Sequence, residues 1–389
     1  MRGGIIIAAT GTIAVLLSTA PLAKPSPDPD FTPVVIPVGH GPTVVTTADV
    51  NHDGAADIVV ANADDETVTV LLGDGHGHFT VAPGSPVPCG KAPNDIAVAD
   101  MNGDGALDLV IANTGTPDLT VLLGDGHGRF IPAPHSPFAT PSQPHVHGVA
   151  VANFMGDGKP AVVTDSWGQD AFLLIPSDGL GNLLPPGRLV HTGKRPYQRL
   201  RAADFNGDGK PDVVTTDLDE NAVTIQLGDG RGGFTEAPGS PFPAGGAPWA
   251  VAIDDLNHDG ALDLAVVPYD KSLTDPAELG LTVLVGDGHG RFRTMPGSPF
   301  SLRGCSGPDR VVTGDVNGDG RRDVIVSCAQ SDAIVLFLGA PTGGFRAVSR
   351  HVETGWSGLA AADFNGDGRD DLVVSNQKAG TITVLLARS

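Results

Sequence analysis

Six stretches of the chain set hard oxygen donors at alternate positions across nine residues. The first, Asp49 to Asp57, reads DVNHDGAAD. The same spacing returns as DMNGDGALD from Asp100, DFNGDGKPD from Asp204, DLNHDGALD from Asp255, DVNGDGRRD from Asp315 and DFNGDGRDD from Asp363. Carboxylates crowded this closely repel one another unless a cation sits among them. Calcium suits such a set, because it accepts roughly six to eight oxygens with loose geometry, whereas magnesium demands a strict octahedron and keeps its waters. In the first stretch the expected ligands are the side chains of Asp49, Asn51 and Asp53, the carbonyl of Ala55, and Asp57, with Gly54 making the turn.

The corresponding positions are Asp100, Asn102, Asp104, Ala106 and Asp108, then Asp204, Asn206, Asp208, Lys210 and Asp212, then Asp255, Asn257, Asp259, Ala261 and Asp263. Asp315, Asn317, Asp319, Arg321 and Asp323 form the fifth set, and Asp363, Asn365, Asp367, Arg369 and Asp371 the sixth. About six structural calcium ions are therefore expected, each pinning one turn. A weaker copy, NFMGDGKPA from Asn153 to Ala161, keeps only Asp157 of the carboxylates and is expected to bind none. The EF-hand's flanking helices and closing Glu are missing. His52, His76, His127, His258 and His289 lie in or beside polar turns and read as exposed turn residues.

The elements that carry these stretches repeat. Successive copies, the weak one included, start 51, 53, 51, 51, 60 and 48 residues apart. Each is flanked by short apolar runs, such as DIAVA before and LDLVIAN after the second, followed by LTVLLG and a glycine turn, DGHGRF. Four antiparallel strands in roughly 50 residues, repeated seven times, describe a β-propeller blade. The Phe closing the glycine turn reads as an inter-blade packing residue. The seventh unit ends at TITVLLARS without a fourth strand, and DFTPVVIPVG from Asp30 to Gly39 resembles the fourth strands of other units. An all-β, seven-bladed propeller of four-stranded antiparallel blades follows, closed by an N-terminal strand that completes the last blade.

The loop pattern Asp-x-(Asp/Asn)-x-Asp-Gly-x-x-Asp resembles that of the FG-GAP and VCBS repeats, found in integrin α-subunit heads and many secreted bacterial proteins. The resemblance covers about Phe31 to Leu386 and implies a seven-bladed propeller with calcium-binding loops. It says little about function, since such repeats occur in adhesion modules, lectins and parts of polysaccharide-acting enzymes.

Composition agrees with a single β body: the chain of 389 residues holds 53 Gly and 33 Pro but few aromatics. A formal charge of −21, without a basic stripe, argues against nucleic acid as a partner. Residues 1–23 read as a signal peptide, with Arg2, the apolar run Ile5 to Leu17 and small residues after it; cleavage is expected between Ala20 and Ala23. Residues 24–30 form a Pro-rich lead-in and 31–389 the propeller. The mature protein is expected to be secreted or at the cell surface, monomeric and without stable membrane insertion. Cys305 and Cys328 fall on one face of one blade, which permits a disulfide, and Cys89 is left as a free thiol.

Acidic loops and glycine turns share one face. The hairpins between strands two and three and the connections leading into strand one share the other. Every Trp and Tyr maps to that second face. The residue leading into strand one varies between units, giving a ring of Thr43, Asn94, His145 with His147, Tyr197, Trp249, Asp309 and Trp356, with Tyr269 in a hairpin beside it. Mixed aromatic and polar groups at a channel mouth suit a sugar or peptide, and Lys194, Arg195, Arg199 and Arg201 gather nearby. The longest insertion, Val267 to Gly280, makes the fifth blade the expected specificity element.

No Gly-x-Ser-x-Gly or His-Glu-x-x-His motif is present, and most Asp residues are committed to the loops, although Asp170, Asp270, Asp275, Glu278 and Asp309 are uncommitted. The function expected from sequence is thus a secreted calcium-binding propeller that captures an extracellular glycan or protein without chemistry of its own. Its alternatives are a polysaccharide lyase or hydrolase of propeller form, and a structural or adhesive surface protein.

Overall fold

The computed structural model describes residues 28–268, 279–341, 343–355 and 358–388. The signal segment, Tyr269, Asp270, Asp275, Glu278, Trp356 and most of the blade-five insertion fall outside these residues. Seven antiparallel sheets follow one another around an axis. Strand one of each blade lies innermost, and its outward neighbours are strands two, three and four. Strand two is buried at all six positions in every blade, because both its faces are covered by neighbouring blades; DIVVAN (Asp57–Asn62) and DLVIAN (Asp108–Asn113) are typical. Among the described residues no helix is long and apolar enough to cross a membrane.

Closure occurs as the sequence implies. Asp30–Pro37 pairs antiparallel with Thr381–Arg388, in register from Asp30 opposite Arg388 to Pro37 opposite Thr381. Asp28 extends the closure by pairing with Arg346 and Arg350 of blade six. A ring closed in this way has no exposed sheet edge between its first and last blades.

Four blades depart from the simple four-strand plan. In blades one, two, four and five the fourth strand breaks into a three-residue and a two-residue piece, both on strand three, as with Phe79–Val81 and Val87–Pro88. The break falls at Pro-Gly-Ser-Pro or Pro-His-Ser-Pro, where proline cannot donate to the ladder. The serine hydroxyl replaces the lost partner: Ser85 Oγ accepts from Val70 N at 2.9 Å, and Ser136, Ser240 and Ser298 repeat the bond.

The glycine-turn Phe does pack between blades. Phe79 and Phe292 lie edge-on to Phe364 and Phe205 at 5.4 and 5.7 Å, and Phe234 lies tilted against Phe154 at 5.9 Å; these partners are the second residues of the preceding blades' acidic loops. Cys305 and Cys328 are bonded across 5.2 Å between α carbons, joining the connection into blade six to its two-to-three hairpin. Cys89 is free.

Candidate functional site

The acidic loops are wound on their own backbone. In the first, Asp49 accepts from the amides of Asp53 and Gly54 at 3.1 and 2.9 Å, Asn51 Oδ1 from Asp53 N at 3.0 Å, and Asp53 Oδ1 from Ala55 N at 2.8 Å. These bonds hold three oxygen-bearing side chains on one side of a loop whose Gly54 is left-handed, at φ +88°. The sixth loop repeats the pattern through Asp363, Asn365 and Asp367. Among the described residues no three His, Cys, Asp or Glu side chains converge in ligating geometry.

The ninth position has a structural duty that spacing alone does not reveal. Asp57 is fully buried, and its two oxygens accept from Val50 N at 2.8 Å and Gly73 N at 2.9 Å, tying the loop to the end of strand three. Asp108, Asp212, Asp263, Asp323 and Asp371 do the same. Burial, reinforced by the other loop carboxylates, raises Asp57 and pushes Asp108, Asp212, Asp263 and Asp371 up to about 6 and Asp323 to about 7. A buried carboxylate beside two others is the setting a bound cation relieves, and the donor set of hard oxygens fits calcium. Two loops bring a cation of their own: Lys210 Nζ lies 3.0 Å from Asp208, and Arg321 Nη2 2.6 Å from Asp319. In the weak copy, Asp157 accepts from Lys159 N, and Ala161 stands at the ninth position.

On the second face, the variable residues leading into strand one are bulge residues. The register between strands one and two slips between Pro42 and Val44, Pro93 and Asp95, Pro196 and Leu200, Pro248 and Ala250, and Pro308 and Arg310. The skipped residues include Thr43, Asn94, Tyr197, Trp249 and Asp309. A bulge re-aims its side chains, which is why these positions leave the repeat's pattern.

The bulges bring several of the expected residues into contact with one another. His145, His147, Trp167 and Tyr197 form a cluster between blades three and four. The His145 and His147 rings meet edge to face at 4.6 Å, His147 and Tyr197 at 4.4 Å, and Trp167 and Tyr197 at 5.1 Å. The Arg195 guanidinium lies over both Trp167 and Tyr197, at 5.4 and 5.6 Å. Its backbone is left-handed, at φ +55°, and is held by Asp170, whose carboxylate accepts from Arg195 N at 2.9 Å. Burial, and then the neighbouring His147, hold the His145 imidazole below its ordinary pKa, against the pull of Asp165.

His147 is buried, with Nδ1 3.2 Å from Asp165 Oδ2. Asp165 Oδ1 accepts from the amides of His147 and Gly148 at 2.6 and 2.7 Å. Sequence reading missed Asp165 because it sits within an apolar strand, Ala161–Ser166. Aligning the units would have found it: the same position is Ala61, Ala112, Thr216, Val267, Ser327 and Ser375 elsewhere. Ser327 and Ser375 use their hydroxyls to cap the same lead-in backbone, so Asp165 keeps that duty and adds a charge directed at a histidine.

Trp249, expected at the mouth, is buried in the core between blades five and six and donates Nε1 to Asp309 at 3.1 Å. The Trp249 ring also packs on Tyr197, with centroids 5.2 Å apart, so the aromatic cluster continues through Trp249 to Asp309. Asn94 Nδ2 binds the His147 carbonyl at 3.3 Å. Arg199 and Arg201 do not join Arg195 but turn inward to Asp95 of blade two. Tyr269 and Trp356 lie outside the described residues.

Solved structures with this fold include BBS1N in complex with ARL6DN (TM-score 0.59, 11% identity, 92% of this chain and 96% of that one). A putative 6-phosphogluconolactonase from Bacteroides uniformis matches at TM-score 0.57 and 16% identity, over 80% of this chain and 85% of its own. A catalytically inactive histidine-to-alanine form of virginiamycin B lyase from Staphylococcus aureus, with quinupristin, matches at TM-score 0.54 and 14% identity, over 92% and 99%. Identities this low establish the fold alone. They nonetheless correct the expectation of a binding module without chemistry of its own, by removing the arguments on which it rested. A lyase and a putative lactonase share this architecture, so lacking a nucleophile motif or a second domain is no argument against an enzyme. No curated protein matches the sequence. The model of the FG-GAP-like repeat matches residues 49–111, 100–164, 167–266 and 315–374, more than half of the chain, and those spans contain all six acidic loops. The protein is therefore a member of the FG-GAP-like repeat family, folded as a seven-bladed propeller.

Proposed function

We propose that the protein is an exported polysaccharide lyase of propeller form, acting on uronate-containing glycans at the His145–His147–Tyr197 cluster. The observation that carries the reading is the buried His147–Asp165 pair set beneath His145, in contact with a phenol and beside a guanidinium. Eliminative cleavage needs a base for the proton α to the carboxylate, a cation to stabilise the resulting enolate, and an acid for the leaving oxygen. His145 is half-buried and favoured in its neutral form, so it accepts the proton; His147, fixed by Asp165, holds it in place. Arg195 meets the carboxylate, and the Tyr197 phenol protonates the departing sugar oxygen as the carbon–oxygen bond breaks and the double bond forms. Trp167 offers the sugar ring a flat apolar wall.

Six structural calcium ions in the acidic loops complete the proposal, each relieving a buried carboxylate cluster. Export is supported by the Cys305–Cys328 bond, which suits an oxidising compartment. The test is incubation with polygalacturonate, alginate and hyaluronan, reading the ultraviolet absorbance of the unsaturated product. His145→Ala should abolish the signal. New reducing ends without ultraviolet absorbance would replace the lyase by a hydrolase, and no cleavage of any uronate polymer would end the catalytic reading.

A further inference from the structure

The propeller axis holds a cavity of about 370 Å³, separate from the aromatic cluster. Its lining is mixed: Val45, Val251, Ile253 and Leu359 bring apolar side chains, Thr46, Thr47 and Thr313 hydroxyls, and Asp95 a carboxylate. One cationic side chain breaks this lining. Arg201, on strand one of blade four, reaches past blade three to Asp95 of blade two, with Nη1 2.9 Å from Asp95 Oδ2. The corresponding positions in other blades are Thr46, Ala97, Ala150, Ala252, Val312 and Ala360, so the charge is an exception within the repeat.

Asp95 does not belong to Arg201 alone. The same Oδ2 accepts from Val149 N at 3.1 Å and stands 4.0 Å from the buried Arg199 guanidinium. One carboxylate oxygen therefore serves two guanidinium groups and an amide. Arg201 Nη1 also donates to the Leu200 carbonyl at 2.9 Å, while its Nε and Nη2 have no hydrogen-bond partner among the described residues. The side chain is 36% exposed, and it lines the axial cavity. A guanidinium with a free edge, lining a cavity and sharing its one ion-pair partner among the described residues with a second arginine, selects a second carboxylate.

We propose that the axial cavity binds a short aliphatic monocarboxylate, its head group on Arg201 and its tail along the valine and leucine walls. The tail adds apolar burial to the charge-assisted hydrogen bonds. The ligand is small because the cavity is, and monoanionic because a second negative charge would meet aliphatic side chains, threonine and the Asp95 carboxylate.

The test is isothermal titration of the folded protein with acetate, butyrate and hexanoate, and with n-butylamine as the tail-matched cation. Saturable one-to-one binding of butyrate is expected, tighter than that of acetate and undetectable for n-butylamine. Arg201→Met should weaken butyrate at least tenfold, and Arg201→Lys should retain part of the affinity. If circular dichroism shows that Arg201→Met is misfolded, Ala252→Leu decides, because it fills the cavity without touching the ion pair and should also abolish binding. No saturable binding of any carboxylate, or binding that both Arg201→Met and Ala252→Leu leave unchanged, overturns the site. Since His145 takes no part here, failure of this test leaves the lyase reading standing, and the reverse holds.

Discussion

His147 and Asp165 form a buried pair, imidazole Nδ1 to carboxylate at 3.2 Å, in which the same carboxylate also caps the backbone amide of the histidine it orients. Two functions can be separated at this residue. Asp165→Asn keeps an acceptor for the His147 and Gly148 amides but removes the charge and alters the tautomer that the ring can adopt. The fold should survive, and elimination should fall on the order of 100-fold, the usual worth of a positioned acid–base group. Steady-state kinetics beside a thermal melt will check this; a melt that collapses with no separate effect on turnover would make Asp165 purely structural.

Trp249 is a stability residue. Truncation to Ala in the core between blades five and six, with Asp309 losing its indole donor, should cost about 3–5 kcal/mol. Urea unfolding followed by tryptophan fluorescence and far-ultraviolet circular dichroism will measure it. A loss below about 1 kcal/mol would return Trp249 to the surface, since exposed substitutions stay in that range.

Calcium should contribute stability loop by loop. Chelation is expected to lower the melting temperature, and Asp100→Ala should remove one ion from the measured stoichiometry. Asp157→Ala, in the weak copy, should remove none. Metal analysis of the dialysed protein gives the count, and an unchanged melting curve in chelator would dismiss the ions as structural elements.

Asp217 provides a pH signature away from the loops. It is buried at the end of strand two, accepts from Thr215 and Thr224, and is pushed up to about 7 by that burial. A carboxyl raised in the folded state binds its proton more tightly there than when unfolded. Its favourable contribution is therefore complete below the ordinary value near 4, and is lost as pH rises towards 7. The slope approaches about 1.4 kcal/mol per pH unit in that window. Asp217→Asn should flatten this fall, measured as the wild-type minus variant difference at saturating calcium. Parallel stability profiles would mean that Asp217 titrates normally.

Reduction of Cys305–Cys328 should destabilise the protein by about 3 kcal/mol, the loop-closure value for a separation of 23 residues. Cys89→Ser should change little, because that thiol is half-buried, forms no disulfide, and donates to the Gly90 carbonyl, a bond a serine hydroxyl can also make. Denaturation with and without reductant distinguishes the two.

The repeat, the seven blades, the closing strand and the positions of the six loops could all be read from the residues alone. Each signal is local and occurs many times: a buried strand two, a nine-residue acidic turn, a Gly–Phe corner. Independent copies reinforce one another, so a single departure such as Met155 does not obscure the pattern. Where the side chains leading into strand one point could not be read in this way. Those residues are bulges, and a one-residue slip of register sends a side chain to the opposite face. Only the packed ring decided that Trp249 enters the core, that Tyr197 joins His147, and that Arg201 crosses the axis to Asp95. Such meetings join residues from 18 to 106 positions apart, on different strands or blades, and depend on the closure of the whole propeller rather than on any one repeat.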